Sequence, residues 1–142
     1  MLVIEKERRW VMYVAVLSSD QQRAKRLGDE ILDICLNNGC YSTFLSFAAD
    51  DGFLKELEQR EFNTVVITAD NATALQMARK VADKQPNAKL VLLGSDRTAV
   101  EGYALNAHYC SVTQPQKEDL ERIVEIIFPL CVDIERMEHH DN

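Results

Sequence analysis

The sequence predicts an α/β domain built as a doubly wound (βα)5 sandwich around a five-stranded parallel sheet, and three observations lead there. Apolar runs alternate with helix-period segments five times along the chain. Two of those runs, TVVIT at 64–68 and KLVLL at 89–93, lack polar alternation, as central parallel strands do when helices cover both faces of the sheet. The 142 residues are 46% hydrophobic with only five Gly and three Pro, enough for one compact domain with its own core.

The elements follow in order. Residues 11–17 (VMYVAVL) read as a buried strand, and residues 20–38 carry Ala24, Leu27, Ile31, Ile34 and Cys35 at helical spacing until Gly39 stops the helix. Residues 41–48 alternate Tyr41, Thr43, Leu45 and Phe47 with smaller or polar neighbours, the pattern of an edge strand, and Asp50 opens a short helix through Phe53, Leu54 and Leu57. Between the two continuous strands, residues 70–84 set Leu75, Ala78, Val81 and Ala82 on one side before Pro86 ends the helix. A weaker helix at 98–105, a short strand at 109–112 and a strong helix from Gln116 onward complete the set. The expected organisation is a lead-in at 1–10, one domain at 11–128 and a helical extension with its tail at 129–142, without linker or repeat.

Composition narrows the partners. Sixteen Lys and Arg against 23 Asp and Glu leave a net charge of −7, which disfavours direct binding to nucleic acid or to an anionic membrane. The short apolar start at Met1 is followed at once by charges, and no later window has the apolar length of a membrane span, so a soluble, cytoplasmic protein is expected. The cysteines Cys35, Cys40, Cys110 and Cys131 form no CxxC pair and read as reduced, buried thiols. His108 and Cys110 share a strand face without an acid partner, and His139 and His140 read as a solvated tail, so neither pair is taken as a catalytic or metal site.

In a doubly wound sheet, ligands and chemistry sit beyond the carboxyl ends of the strands, where the strand order reverses. The residues there are Ser18, Ser19 and Asp20 after the first strand, Thr68, Ala69 and Asp70 after the third, Gly94, Ser95 and Asp96 after the fourth, and Thr113, Gln114 and Pro115 after the fifth. Hydroxyls dominate this crest. Asp20, Asp70 and Asp96 each stand where a helix begins and read as N-caps in preference to metal ligands.

Four stretches taken in order, VAVLSSDQQ, FNTVVIT, AKLVLLGS and AVEGYALNAHYCSVTQP, resemble the receiver domain of bacterial response regulators. The likeness runs over residues 11–128, and its last segment is most similar to receivers that precede LytR-type DNA-binding domains. The resemblance implies a CheY-like, flavodoxin-like sheet of strand order 2-1-3-4-5. It also implies a site made of two carboxylates for Mg²⁺ after the first strand, an Asp phosphoacceptor ending the third, a Thr or Ser ending the fourth, and a Lys before the Pro that follows the fifth. Matched to that pattern, Ser18 and Ser19 replace the acidic pair, Thr68 replaces the acceptor, Gly94 followed by Ser95 holds the switch position, and Gln114 replaces the lysine. Neutral hydroxyls cannot offset the dehydration of Mg²⁺, and a threonine cannot form an acyl phosphate. The loop after Thr68 is also shorter than the family pattern and lacks its Pro and Gly.

The expectation is therefore a degenerate, stand-alone pseudo-receiver with no enzymatic activity, no cofactor and no metal. It would act as a protein-interaction or dimerisation module in bacterial signal transduction or transcription control. The last helix supports this, because Leu120, Ile123, Ile127, Leu130, Ile134 and Met137 continue an apolar stripe at alternating steps of three and four. Val100, Tyr103 and Leu105 on the fourth helix, with Leu130, Ile134 and Met137, are the expected contacts to a protein partner or a second copy. Two alternatives remain open: a small-anion or metabolite sensor using Ser18, Ser19, Thr68 and Ser95, and a rearranged phosphoacceptor at Asp70 assisted by Asp20.

Overall fold

The computed structural model describes residues 13–39, 42–48, 50–68, 72–94, 105, 107–111 and 116–127. Among these residues five strands are present: β1 (Tyr13–Ser18), β2 (Thr43–Ala48), β3 (Thr64–Ile67), β4 (Lys89–Leu93) and β5 (Tyr109–Ser111). The helices are α1 (Gln21–Asn37), α2 (Asp51–Gln59), α3 (Ala72–Lys84) and α4 (Lys117–Ile127). All strand pairs are parallel and the sheet order is β2-β1-β3-β4-β5, as the resemblance implied. The weaker helix expected at 98–105 falls outside the described residues except for Leu105.

Strand alternation splits the core into two layers. Val14, Val16, Val66, Val91 and Leu93 face α1 and α4, where they meet Ala24, Leu27, Ile31 and Cys35 and then Leu120, Ile123, Val124 and Ile127. Ala15, Leu17, Val65, Ile67, Leu90 and Leu92 point the other way, to Phe53 and Leu57 of α2 and to Met77, Ala78 and Val81 of α3. Because both faces are covered, β1, β3 and β4 are buried nearly throughout, whereas β2 has one exposed residue and five half-buried ones. Each large aliphatic or aromatic side chain so buried contributes about 1.5–3 kcal/mol of transfer free energy.

Local chemistry sets the helix ends. Asp20 and Asp50 are N-caps: Oδ1 of Asp20 accepts from the Arg23 amide at 2.8 Å, and Oδ1 of Asp50 from the Gly52 amide at 2.9 Å. At the far end of α1, Gly39 takes φ 71°, a conformation in which a Cβ is strained, and its amide donates to the Leu36 carbonyl at 3.1 Å.

Gln85, immediately after α3, ties that helix to the last turn of α2 and to the loop between α2 and β3. Its Nε2 donates to the carbonyls of Leu57 and Arg60, each at 2.8 Å, and its Oε1 accepts from the Phe62 amide at 2.9 Å. The loop it holds delivers Phe62 into a cluster with Phe47 and Phe53, whose centroids lie 5.3–6.4 Å apart. Gln85→Ala would leave these three backbone groups without the side chain that serves them. The variant is expected to lose about 2–3 kcal/mol of stability, read as a lower midpoint in urea with an unchanged m-value.

Candidate functional site

The strand order reverses between β1 and β3, so the crest above these two strands is the place where this fold offers a site. β1 ends in Ser18, which pairs with Ala48 and is 3% exposed. Ser19 follows in the open, and Asp20 is engaged at the start of α1, with Oδ2 also 3.4 Å from Nε of Arg23. The capping role expected of Asp20 is thus the one it has. Thr68 stands one residue past β3, half-buried, its amide donating to the Leu17 carbonyl at 2.9 Å. Gly94 stands one residue past β4, and its amide extends the ladder by donating to the Ser111 carbonyl at 2.8 Å.

The structure therefore brings Ser18, Ser19 and Thr68 to the same end of two adjacent strands, with Gly94 at the end of the next. What they present is neutral: hydroxyls and a residue with no side chain. Ser18 lies below the surface, so a ligand settling on the crest would meet Ser19 and Thr68 first. Ser95, Gln114, Asp70 and Asp96 lie outside the described residues, as do the expected contact residues Val100, Tyr103, Leu130, Ile134 and Met137. Leu105 is described, and it is half-buried against the layer that holds α2 and α3, so part of its apolar surface belongs to the core. Among the described residues no group of three His, Cys, Asp or Glu side chains could hold a metal ion.

Within the described residues Cys35 is buried and Cys110 half-buried, and burial pushes the Cys110 thiol up from its ordinary pKa, away from thiolate chemistry. His108 is exposed, with its amide donating to the Leu90 carbonyl at 2.8 Å.

A polar cluster with little trace in the sequence joins β5 to α4. Asp119 is 8% exposed, and its carboxylate accepts a short bond from the Tyr109 hydroxyl, a 2.8 Å bond from the Gln116 amide and a bond from the Ser111 side chain. The Tyr109 bond, with help from the Gln116 amide and Ser111, holds the Asp119 carboxyl below its ordinary pKa against the opposing effect of burial. The same bond, with burial, raises the Tyr109 phenol. The one signal available in the sequence is the spacing from Gln116 to Asp119, the reciprocal half of a capping box. At the other end of α4, Nζ of Lys89 donates to the Ile126 carbonyl at 2.7 Å, and burial lowers the lysine pKa. The last helix is thus pinned to the sheet by polar contacts at both ends.

Comparison with known proteins agrees with this architecture. No protein-family model matches the chain, and no curated protein matches it. Solved structures do. A response regulator from Burkholderia pseudomallei superposes with a TM-score of 0.61 over 92% of this chain and 75% of its own, at 18% identity. A CheY-like receiver domain protein from Methanospirillum hungatei gives 0.62 over 84% of this chain and 95% of its own, at 17% identity. The beryllofluoride-activated NtrC4 receiver domain gives 0.60 over 84% and 98%, at 14% identity. The chain has the CheY-like receiver fold.

Because Asp119 has a lowered pKa in the folded state, the stability it contributes is complete above the ordinary carboxylate range and is lost as pH falls toward the folded value. Between about pH 5 and pH 2 the unfolding free energy of the natural chain should fall more steeply than that of Asp119→Asn, and the two curves should converge at the acid end. Urea titrations of both proteins at stepped pH would measure the difference.

Proposed function

We propose that this chain is a pseudo-receiver: a receiver-fold module that works without accepting a phosphoryl group and acts by binding protein in bacterial signal transduction or transcription control. The observation that carries the reading is the run of neutral side chains, Ser18, Ser19 and Thr68, at the ends of β1 and β3. Phosphoryl transfer at this place needs hard anionic oxygens for a divalent cation and a carboxylate to take the phosphoryl group. In the Burkholderia pseudomallei response regulator an aspartic acid is phosphorylated; here the residue just past β3 is Thr68.

The binding face we assign is the one that includes β5 and the last helix. Leu120, Ile123 and Ile127, the first half of the apolar stripe, are consumed by the core. Leu130, Ile134 and Met137 continue the same stripe in sequence, and with Val100, Tyr103 and the remaining surface of Leu105 they are the contacts proposed for a protein partner or a second copy. The Tyr109–Asp119–Ser111 cluster and the Lys89 bond support a fixed face that is ready to bind, in place of one that phosphorylation must rearrange. On this reading the protein has no enzymatic activity and needs no cofactor. The dimeric state of the NtrC4 receiver domain is a precedent for association within this fold.

Incubation of the full chain with acetyl phosphate and Mg²⁺, followed by intact-mass measurement, is expected to leave the mass unchanged. A base-labile gain of one phosphoryl group that maps to Asp70 would overturn the reading and establish a rearranged acceptor in its place.

A further inference from the structure

On the edge of the sheet opposite β5, the outer side of β2 opens into a groove of about 530 Å³ between α1 and α2. Its floor is the strand itself, Phe44 to Phe47, half-buried, and no strand pairs with its outer side among the described residues. An unpaired edge of this kind is a template for another strand. Its walls each carry one acid and one base four residues apart. On α1 these are Lys25 and Asp29; on the other wall they are Glu56 of α2 and Arg60, the residue just past its end.

The order of those charges names the occupant. A contact between two copies about a twofold axis requires a surface that complements itself, so that each residue meets the one placed symmetrically across the axis. Two β2 strands paired antiparallel across an axis normal to the sheet would set α1 against α1 and α2 against α2, each reversed. α1 lies over the middle of β2, since a Cβ at Gly28 would be 3.5 Å from Oγ of Ser46 and 3.9 Å from Cδ2 of Phe44. Reversal about that middle brings Lys25 toward the partner copy's Asp29, and Asp29 toward its Lys25. Among the described residues neither side chain has an ion-pair partner of its own. On the other wall Glu56 and Arg60 are already paired with each other at 3.1 Å, and the Arg60 guanidinium lies 4.7 Å from the centroid of the Tyr13 ring. A strand of one net charge could not do this; a surface with the two signs in mirrored order can.

We infer that the β2 edge is a self-association surface, where a second copy of this chain pairs β2 with β2 antiparallel to give a continuous ten-stranded sheet, with Lys25 and Asp29 reciprocally paired across the axis. This surface is separate from the one assigned to the last helix and stands whether or not that assignment does.

The test is sedimentation velocity on the full chain over a range of concentrations, for the natural protein and for Lys25→Asp, the charge swap Lys25→Asp with Asp29→Lys, and Ile134→Glu. Lys25 and Asp29 are exposed, so the fold should survive, and circular dichroism would verify it. A twofold axis repeats each contact, so Lys25→Asp turns two attractions into two repulsions and should weaken association about tenfold or more. The swap should restore it, whereas any loss in Ile134→Glu reports the last helix and should leave the contrast between Lys25→Asp and the swap intact. A natural protein that stays monomeric would overturn the inference and make these charges guards of an exposed edge. So would a dimer indifferent to Lys25→Asp, or one that the swap does not recover. Association lost in Ile134→Glu alone would also overturn it, while supporting the binding face proposed for the last helix.

Discussion

β1 is hydrogen-bonded on both sides, to β2 over its full length and to β3 from Val14 to Leu17, and everything else in the structure is referred to it. Its alternate side chains supply both core layers, Val14 and Val16 to one and Ala15 and Leu17 to the other. A shift of the strand by one residue would send each set to the wrong layer, so burial on both faces holds the register tightly. Because the chain turns back on either side of this strand, its carboxyl end also defines the crest at which Ser18 and Thr68 come together.

Polar contacts in this molecule are concentrated on its scaffold. Gln85 satisfies three backbone groups in the last turn of α2 and the loop after it, Lys89 closes the end of α4, and Asp119 gathers a phenol, an amide and a hydroxyl at the start of the same helix. No buried side-chain nitrogen or oxygen among the described residues lacks a partner. At the ends of β1 and β3 the described side chains are the hydroxyls of Ser18, Ser19 and Thr68 and the capping carboxylate of Asp20.

Much of the candidate site is legible in the order of the residues alone. Ser18, Ser19, Thr68 and Gly94 follow continuous apolar runs, and the end of such a run locates the end of a strand to within a residue or so. Asp20 and Asp50 are readable as caps because a short acidic side chain ahead of a helix-period segment has one favourable use. Asp119 is readable only as a capping residue by its spacing from Gln116, and nothing in the sequence marks it as buried. In sequence it is one of several acids in a helix that also carries Glu118, Glu121 and Glu125. Its burial depends on α4 packing where Tyr109 and Ser111 emerge from β5, and those residues are eight to ten positions away along the chain. Leu105, expected at a contact surface, is half-buried in the core for a related reason: an apolar residue in a weak helix carries no mark of which side faces inward.

By itself the sequence determined the five strands and the four described helices, the parallel sheet, and the neutral residues Ser18, Ser19 and Thr68 at the ends of two strands. All of these depend on residue type and on spacing within a few turns, which a linear pattern records. Only the tertiary structure decided that Asp119 is a buried acceptor, that Gln85 and Lys89 are clamps, and that Lys25, Asp29, Glu56 and Arg60 line one groove along the β2 edge. Those roles come from groups meeting across distant stretches of chain. Burial and approach in three dimensions create them, and local periodicity leaves no trace of which partners will meet.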